Sequence, residues 1–128
     1  MPQISIFFRC LCLVAVAIAL TGCAGSPYKT GMRASENKQN MIGLKPDMST
    51  EQVTKLMGTP DKTEMYRGKN NEAILTYLYI TEGKDSKSRR WNESNYTPLI
   101  FVNDRLSGWG WNALDTEAKR FEFVIKER

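Results

Sequence analysis

Three cysteines, no histidine and 14 carboxylates bound the chemistry open to these 128 residues. The commonest acid–base group near neutral pH is therefore missing. Cys10 and Cys12 lie inside an apolar run and Cys23 stands just after it. Ser49 precedes a helical pattern, where a hydroxyl serves as a cap, and Ser86, Ser88 and Ser94 fall in a polar stretch with no activating base beside them. Glycoside chemistry needs two carboxylates across one cleft. Glu82 and Asp85 read as loop residues, Asp104 as a turn former, and Asp115 and Glu117 as charges on a short segment, so no pair is indicated. Neither an EF-hand nor a transition-metal spacing is present. The expectation is a protein that is not an enzyme, with no catalytic residue, no metal, no cofactor and no small-molecule substrate.

Cys23 has a different chemistry in view. Cys10 to Leu20 is a run of eleven apolar residues behind Arg9, too short for a membrane-crossing helix, which takes roughly 20. Residues 1–22 thus read as a targeting segment. The run ends Leu20-Thr21-Gly22-Cys23, an order that resembles the lipobox of bacterial lipoproteins. The resemblance implies a signal peptide cut before Cys23, a diacylglycerol on the thiol and often a further acyl chain, such as palmitate, on the new amine. A covalent lipid on Cys23 would hold the chain to a membrane, since each buried CH₂ contributes about 0.8 kcal/mol. In such lipoproteins an aspartate after the cysteine commonly favours the inner membrane. Ala24 stands there, which implies the periplasmic face of the outer membrane. An ordinary secreted protein and a membrane-inserted helix are the alternatives.

Cleavage would leave 106 residues, room for one small domain with no second cysteine for a disulfide. Its side chains carry a net +3, because Arg9 is the only charged side chain removed. That balance suits solubility as well as acidic surfaces, and a secreted chain has little access to nucleic acid. Residues 23–41 are polar, with Gly25, Pro27 and Gly31 and no sustained period, so they read as a flexible tether. The domain is expected to span residues 42–128.

Within it, Ser49 and Gln52 have the spacing of a capping box, Met48 and Val53 that of a hydrophobic staple, and Val53, Leu56 and Met57 one helical face. Gly58 suits the C-cap and Pro60 stops the helix. Strands are expected at Thr63–Arg67 and Ala73–Thr81, joined as a hairpin across 68–71, then at Tyr96–Asn103 and Leu106–Trp111 around the turn Asn103-Asp104-Arg105. Residues 82–96 read as a long loop. Phe121, Phe123 and Ile125 suggest a last strand, and 112–119 allows one helical turn. The fold class is α+β: a small antiparallel sheet of about three to five strands packed with one or two short N-terminal helices.

The run Met48-Ser49-x-x-Gln52-Val53-x-x-Leu56-Met57-Gly58-x-Pro60 resembles the start of the SmpA/OmlA domain, and the strand-turn-strand Leu99–Gly110 resembles its aromatic sheet. Where that family often has a glycine before the first hydrophobic residue of the helix, this chain has Asp47. The family includes the small outer-membrane lipoprotein of the barrel-assembly machinery. The likeness implies a noncatalytic module that binds an envelope protein or protein complex and supports envelope assembly. A structural lipoprotein contacting the cell wall, peptidoglycan or lipid headgroups, or a small periplasmic inhibitor, is the alternative. The candidate partner-binding residues are Arg89, Arg90, Trp109 and Trp111. On one strand Trp109 and Trp111 would project to the same side, as a contact patch or as core; Arg89 and Arg90 would be solvated charges or a latch for an acidic partner.

Overall fold

The polar stretch ahead of Ile42 folds. In the computed structural model, which describes residues 27–83 and 93–125, Pro27–Met41 is a 15-residue helix, α1. Pro27 suits its first position, where the missing N–H leaves nothing unpaired. The reading of residues 23–41 as a flexible tether is corrected from Pro27 onward, and the domain does not begin at Ile42. Ala34 and Asn37 are buried and Met41 is half-buried, at helical spacing. Asn37 Nδ2 donates to the Ile80 carbonyl (2.8 Å), Arg33 pairs with Asp61 (3.1 Å), and Ala34 packs with Leu78, Ile80 and Tyr96. One alanine and one asparagine give no hydrophobic period, so the face is invisible to pattern reading.

Helix α2 is Thr50–Met57. Its capping box closes as expected: Gln52 N–H donates to Ser49 Oγ (3.2 Å) and Ser49 N–H to Gln52 Oε1 (2.9 Å). Gly58, at φ 78, ends it in a conformation that side chains resist, and Pro60 follows. Val53 and Met57 are buried, with Met48 and Leu56 packed beside them.

Four strands form one antiparallel sheet in chain order: β1 Lys62–Arg67, β2 Ala73–Ile80, β3 Tyr96–Val102 and β4 Arg105–Trp109. β1 and β2 are the expected hairpin, from Lys62↔Leu78 to Arg67↔Ala73. β3 and β4 turn on Asn103 (φ 48) and Asp104 (φ 65), the two left-handed positions of a tight hairpin. A bulge between Ile100 and Phe101 moves the register from Ile100↔Gly108 to Phe101↔Leu106, leaving Ser107 as the additional residue. Buried Pro98 sits in β3 opposite Leu78; its carbonyl takes the Gly110 N–H (2.8 Å), so its missing donor falls where β4 ends.

Helices pack on both faces of the sheet, and the fold is a small α+β domain. Tyr79, Leu99, Phe101 and Leu106 meet α2 and Leu44 on one face; Ile74, Ile100 and Tyr66 meet Leu114 and Phe123 on the other. Burying each such side chain contributes about 1.5–3 kcal/mol. α1 joins the two layers, with Ala34 in one cluster and Met41 against the other. Leu114 belongs to a third helix, α3, Trp111–Phe121. That corrects two expectations. The return strand stops at Trp109, because Gly110 at φ 90 turns the chain into α3. Phe121–Ile125 is not a strand: Phe121 closes α3, and Phe123 stacks on Tyr66 with ring centroids 4.9 Å apart.

Candidate functional site

Gly110 decides what becomes of the two tryptophans. Trp109 pairs with Leu99 on the face that carries Tyr77 and Tyr79 and is 39% exposed. Trp111, two residues on but across the break, packs against the clusters of the opposite face. Its indole N–H donates to the Tyr96 carbonyl (3.0 Å). The pair does not project to one side, and the structure does not bring them together as one patch. Trp111 ties the start of α3 to the start of β3, and Trp109 is the more exposed of the two. Arg89 and Arg90 lie outside the described residues, as does Cys23.

Ser49 and Gln52 form the capping box at the start of α2 and Gly58 is its C-cap, with Pro60 two residues on. α2 is tied down further by Asp104, whose carboxylate accepts from Thr50 Oγ1 (2.5 Å) at the helix's first residue. A carboxylate at that end also suits the helix dipole. Asp47 adopts φ 66, so the position where the resembled family often has glycine is a left-handed one.

Several polar groups are buried among the described residues. Glu117 is buried on α3, where Oε1 accepts from Ser107 Oγ (2.8 Å) and Oε2 lies 3.7 Å from Arg120. Thr76 Oγ1 is buried in β2 with no hydrogen bond among the described residues. Tyr79 donates to the Gly58 carbonyl (2.8 Å), and burial pushes its hydroxyl up to about 12, with Tyr77 and Asp61 acting in the same direction. Among the described residues no group of three or more His, Cys, Asp or Glu could hold a metal ion, and no helix is long and apolar enough to cross a membrane.

Two open concavities lie among the described residues. One, of about 330 Å³, lies between Met32, Arg33 and Glu36 of α1 and the exit of α2 at Met57–Thr59. Another, of about 320 Å³, is lined by Asp115, Lys119, Phe123 and Ile125. Neither gathers the convergent buried polar groups of a small-molecule site.

More distinctive is a strip beside β1 that sequence reading missed. Met65 is 72% exposed, and its cross-strand neighbour Leu75 and nearby Tyr77 on the same face are only half-buried. Leu75 and Tyr77 border the cluster that α2 forms with Tyr79, Leu99, Phe101 and Leu106, while Thr63, Met65 and Arg67 of β1 are exposed. Thr63–Arg67 was legible as a strand, but no residue signal marked it as an edge.

A family described as a protein of unknown function, DUF3192, matches residues 16–116, most of the chain. The match begins inside the apolar run, includes Leu20–Cys23 and α1, and ends within α3. No curated protein and no solved structure matches.

Proposed function

The chain belongs to the DUF3192 family, and we propose that it is a noncatalytic, lipid-tethered module of the bacterial cell envelope whose sheet domain binds an envelope protein. The observation that carries this reading is Leu20-Thr21-Gly22-Cys23 closing the Cys10–Leu20 apolar run, with a folded domain close behind. Only Ala24–Ser26 separate Cys23 from α1, and three residues reach at most about 10 Å. On this reading the domain stands against the membrane that holds its lipid. Ala24 supports the periplasmic face of the outer membrane. The lack of histidine, and of a metal-holding cluster among the described residues, supports a binding role over turnover.

A narrower reading, support of outer-membrane protein assembly, rests on the resemblance of Met48–Pro60 to the SmpA/OmlA domain. Within the proposed surface Trp109 keeps its place as a partner contact, Trp111 becomes a packing residue, and Arg89 and Arg90 are a cationic latch for an acidic partner. Labelled palmitate should enter the full chain in cells and be lost from Cys23→Ser, which should also leave the membrane fraction. Retained label in that variant would sink the anchor. Crosslinking in intact cells should then capture an envelope protein through the domain. Capture that survives Trp109→Ala together with Arg89/Arg90→Glu would remove the proposed contact residues.

A further inference from the structure

The two edges of the sheet are treated differently. Beside β4, Asp47–Ser49 acts as a short extra strand: Asp47 N–H donates to the Leu106 carbonyl (2.9 Å), Leu106 N–H to the Met48 carbonyl (2.8 Å), and Ser49 bridges Arg105. No described backbone group pairs with the outer edge of β1. That edge has no proline and no bulge, two of the usual ways of blunting a strand.

Its hydrogen-bonding groups are assigned by the hairpin. Gly68 N–H donates to the Glu72 carbonyl (3.0 Å), and alternation along the Lys62↔Leu78 to Arg67↔Ala73 register turns the even-numbered residues toward β2. Thr63, Met65 and Arg67 therefore aim their N–H and C=O groups outward. Their side chains share the face that carries exposed Met65, half-buried Leu75 and half-buried Tyr77.

We propose that β1 is a homodimer interface: a second copy of this chain pairs its β1 antiparallel to the first, with Met65 on the two-fold axis. In this register Met65 faces Met65 of the second copy and Thr63 faces Arg67, so every outward N–H meets an outward C=O. Glu64 faces Tyr66 and Lys62 faces Gly68, so no like charges are opposed. Moving the axis to Glu64 sets two carboxylates side by side, which is destabilising. A one-residue slip would mate opposite faces. The dyad on Met65 is the register that satisfies the whole edge, and it covers the apolar strip by joining it to its own copy.

A cysteine on the axis tests this in cells producing the full chain. Paired residues on the dyad lie about 5.5 Å apart at Cα, within the disulfide range of about 4.4–6.8 Å. Met65→Cys should give a species of doubled mass on non-reducing gels after mild oxidation. The unaltered chain, with its own cysteines, sets the background. Thr63→Cys should stay at that background, because two copies of residue 63 sit roughly 13 Å apart along the strands, whereas Thr63→Cys/Arg67→Cys should crosslink. Lys55→Cys, exposed on α2, should not. Met65→Lys puts two ammonium groups on the axis and should reduce the purified full chain from dimer to monomer in sedimentation. No crosslink above background at Met65→Cys, equal crosslinking at Thr63→Cys, capture of a different protein in place of a second copy, or an undiminished Met65→Lys dimer would each overturn the proposal.

Discussion

Tyr79 shows how one buried hydroxyl links packing to pH. It has no exposed surface, and its hydroxyl is pushed up to about 12, first by burial. The unfolded chain ionises the same group near 10. Its neutral form is thus favoured by folding: the contribution is complete below about pH 10 and is lost as pH rises toward 12. Tyr79→Phe removes that dependence along with the bond to the Gly58 carbonyl, which costs about 1 kcal/mol. Melting temperatures should therefore converge between pH 10 and 12, the variant starting lower and falling less steeply; parallel curves would exclude the role. Asp47 tests backbone strain. Its φ of 66 lies where an ordinary side chain costs about 1–2 kcal/mol and aspartate less. Asp47→Gly relieves the strain but loosens the unfolded chain, so its unfolding free energy in urea should stay within about 0.5 kcal/mol of the parent. Asp47→Val should lose about 1–2 kcal/mol. A valine variant as stable as the glycine variant would show that the angle carries no cost.

Elements written in local chemistry were legible from sequence, and elements written in long-range contacts were not. α2 announced itself through Ser49, Gln52 and Gly58, and the β3–β4 turn through Asn103-Asp104, because each signal acts within a few residues. α1 escaped because its buried face is held by an asparagine reaching the Ile80 carbonyl and an alanine against the sheet. α3 could have been found: Leu114, Ala118 and Phe121 have helical spacing, but reading a strand through Gly110 consumed its start. The alternation of Phe121, Phe123 and Ile125 was real, yet Phe123 is satisfied by stacking on Tyr66 instead of by a strand partner. The same break scattered the expected tryptophan patch, and it makes the two residues unequal. Trp111→Ala should destabilise the domain by about 2–4 kcal/mol, through lost packing and the lost indole bond to the Tyr96 carbonyl, while Trp109→Ala should cost about 1 kcal/mol or less. Equal losses in urea unfolding would place both rings in the core.

At the scale of the whole molecule, α1 is both the link to the proposed anchor and the part that joins the sheet's two layers. A flexible tether could be removed without effect on the domain behind it; a docked helix could not. Deleting residues 27–41 would uncover Leu78, Ile80 and Tyr96, leave the Ile80 carbonyl without its Asn37 donor, and strip Asp61 of the Arg33 guanidinium. Asp61 is 9% exposed and also accepts from the Ile80 N–H (2.8 Å), so the loss falls on a carboxylate that holds β2 to the start of β1. The ordering entropy of α1 offsets part of what its contacts contribute. The net cost of removal should still be about 2 kcal/mol or more, given roughly 25 cal/mol per Å² of apolar burial and about 1 kcal/mol for each buried hydrogen bond. A chain starting at Ile42 should accordingly unfold at lower urea than one starting at Ser26, and its slope should be shallower because less surface remains to be exposed. Asn37→Ala in the longer chain separates docking from mere presence: it keeps the helix but removes its buried bond, and should lose about 1–3 kcal/mol. If all three proteins unfold together, α1 does not stabilise the domain; if the two altered chains fall below the parent, α1 is part of the fold, and the proposed anchor would be carried on a docked helix.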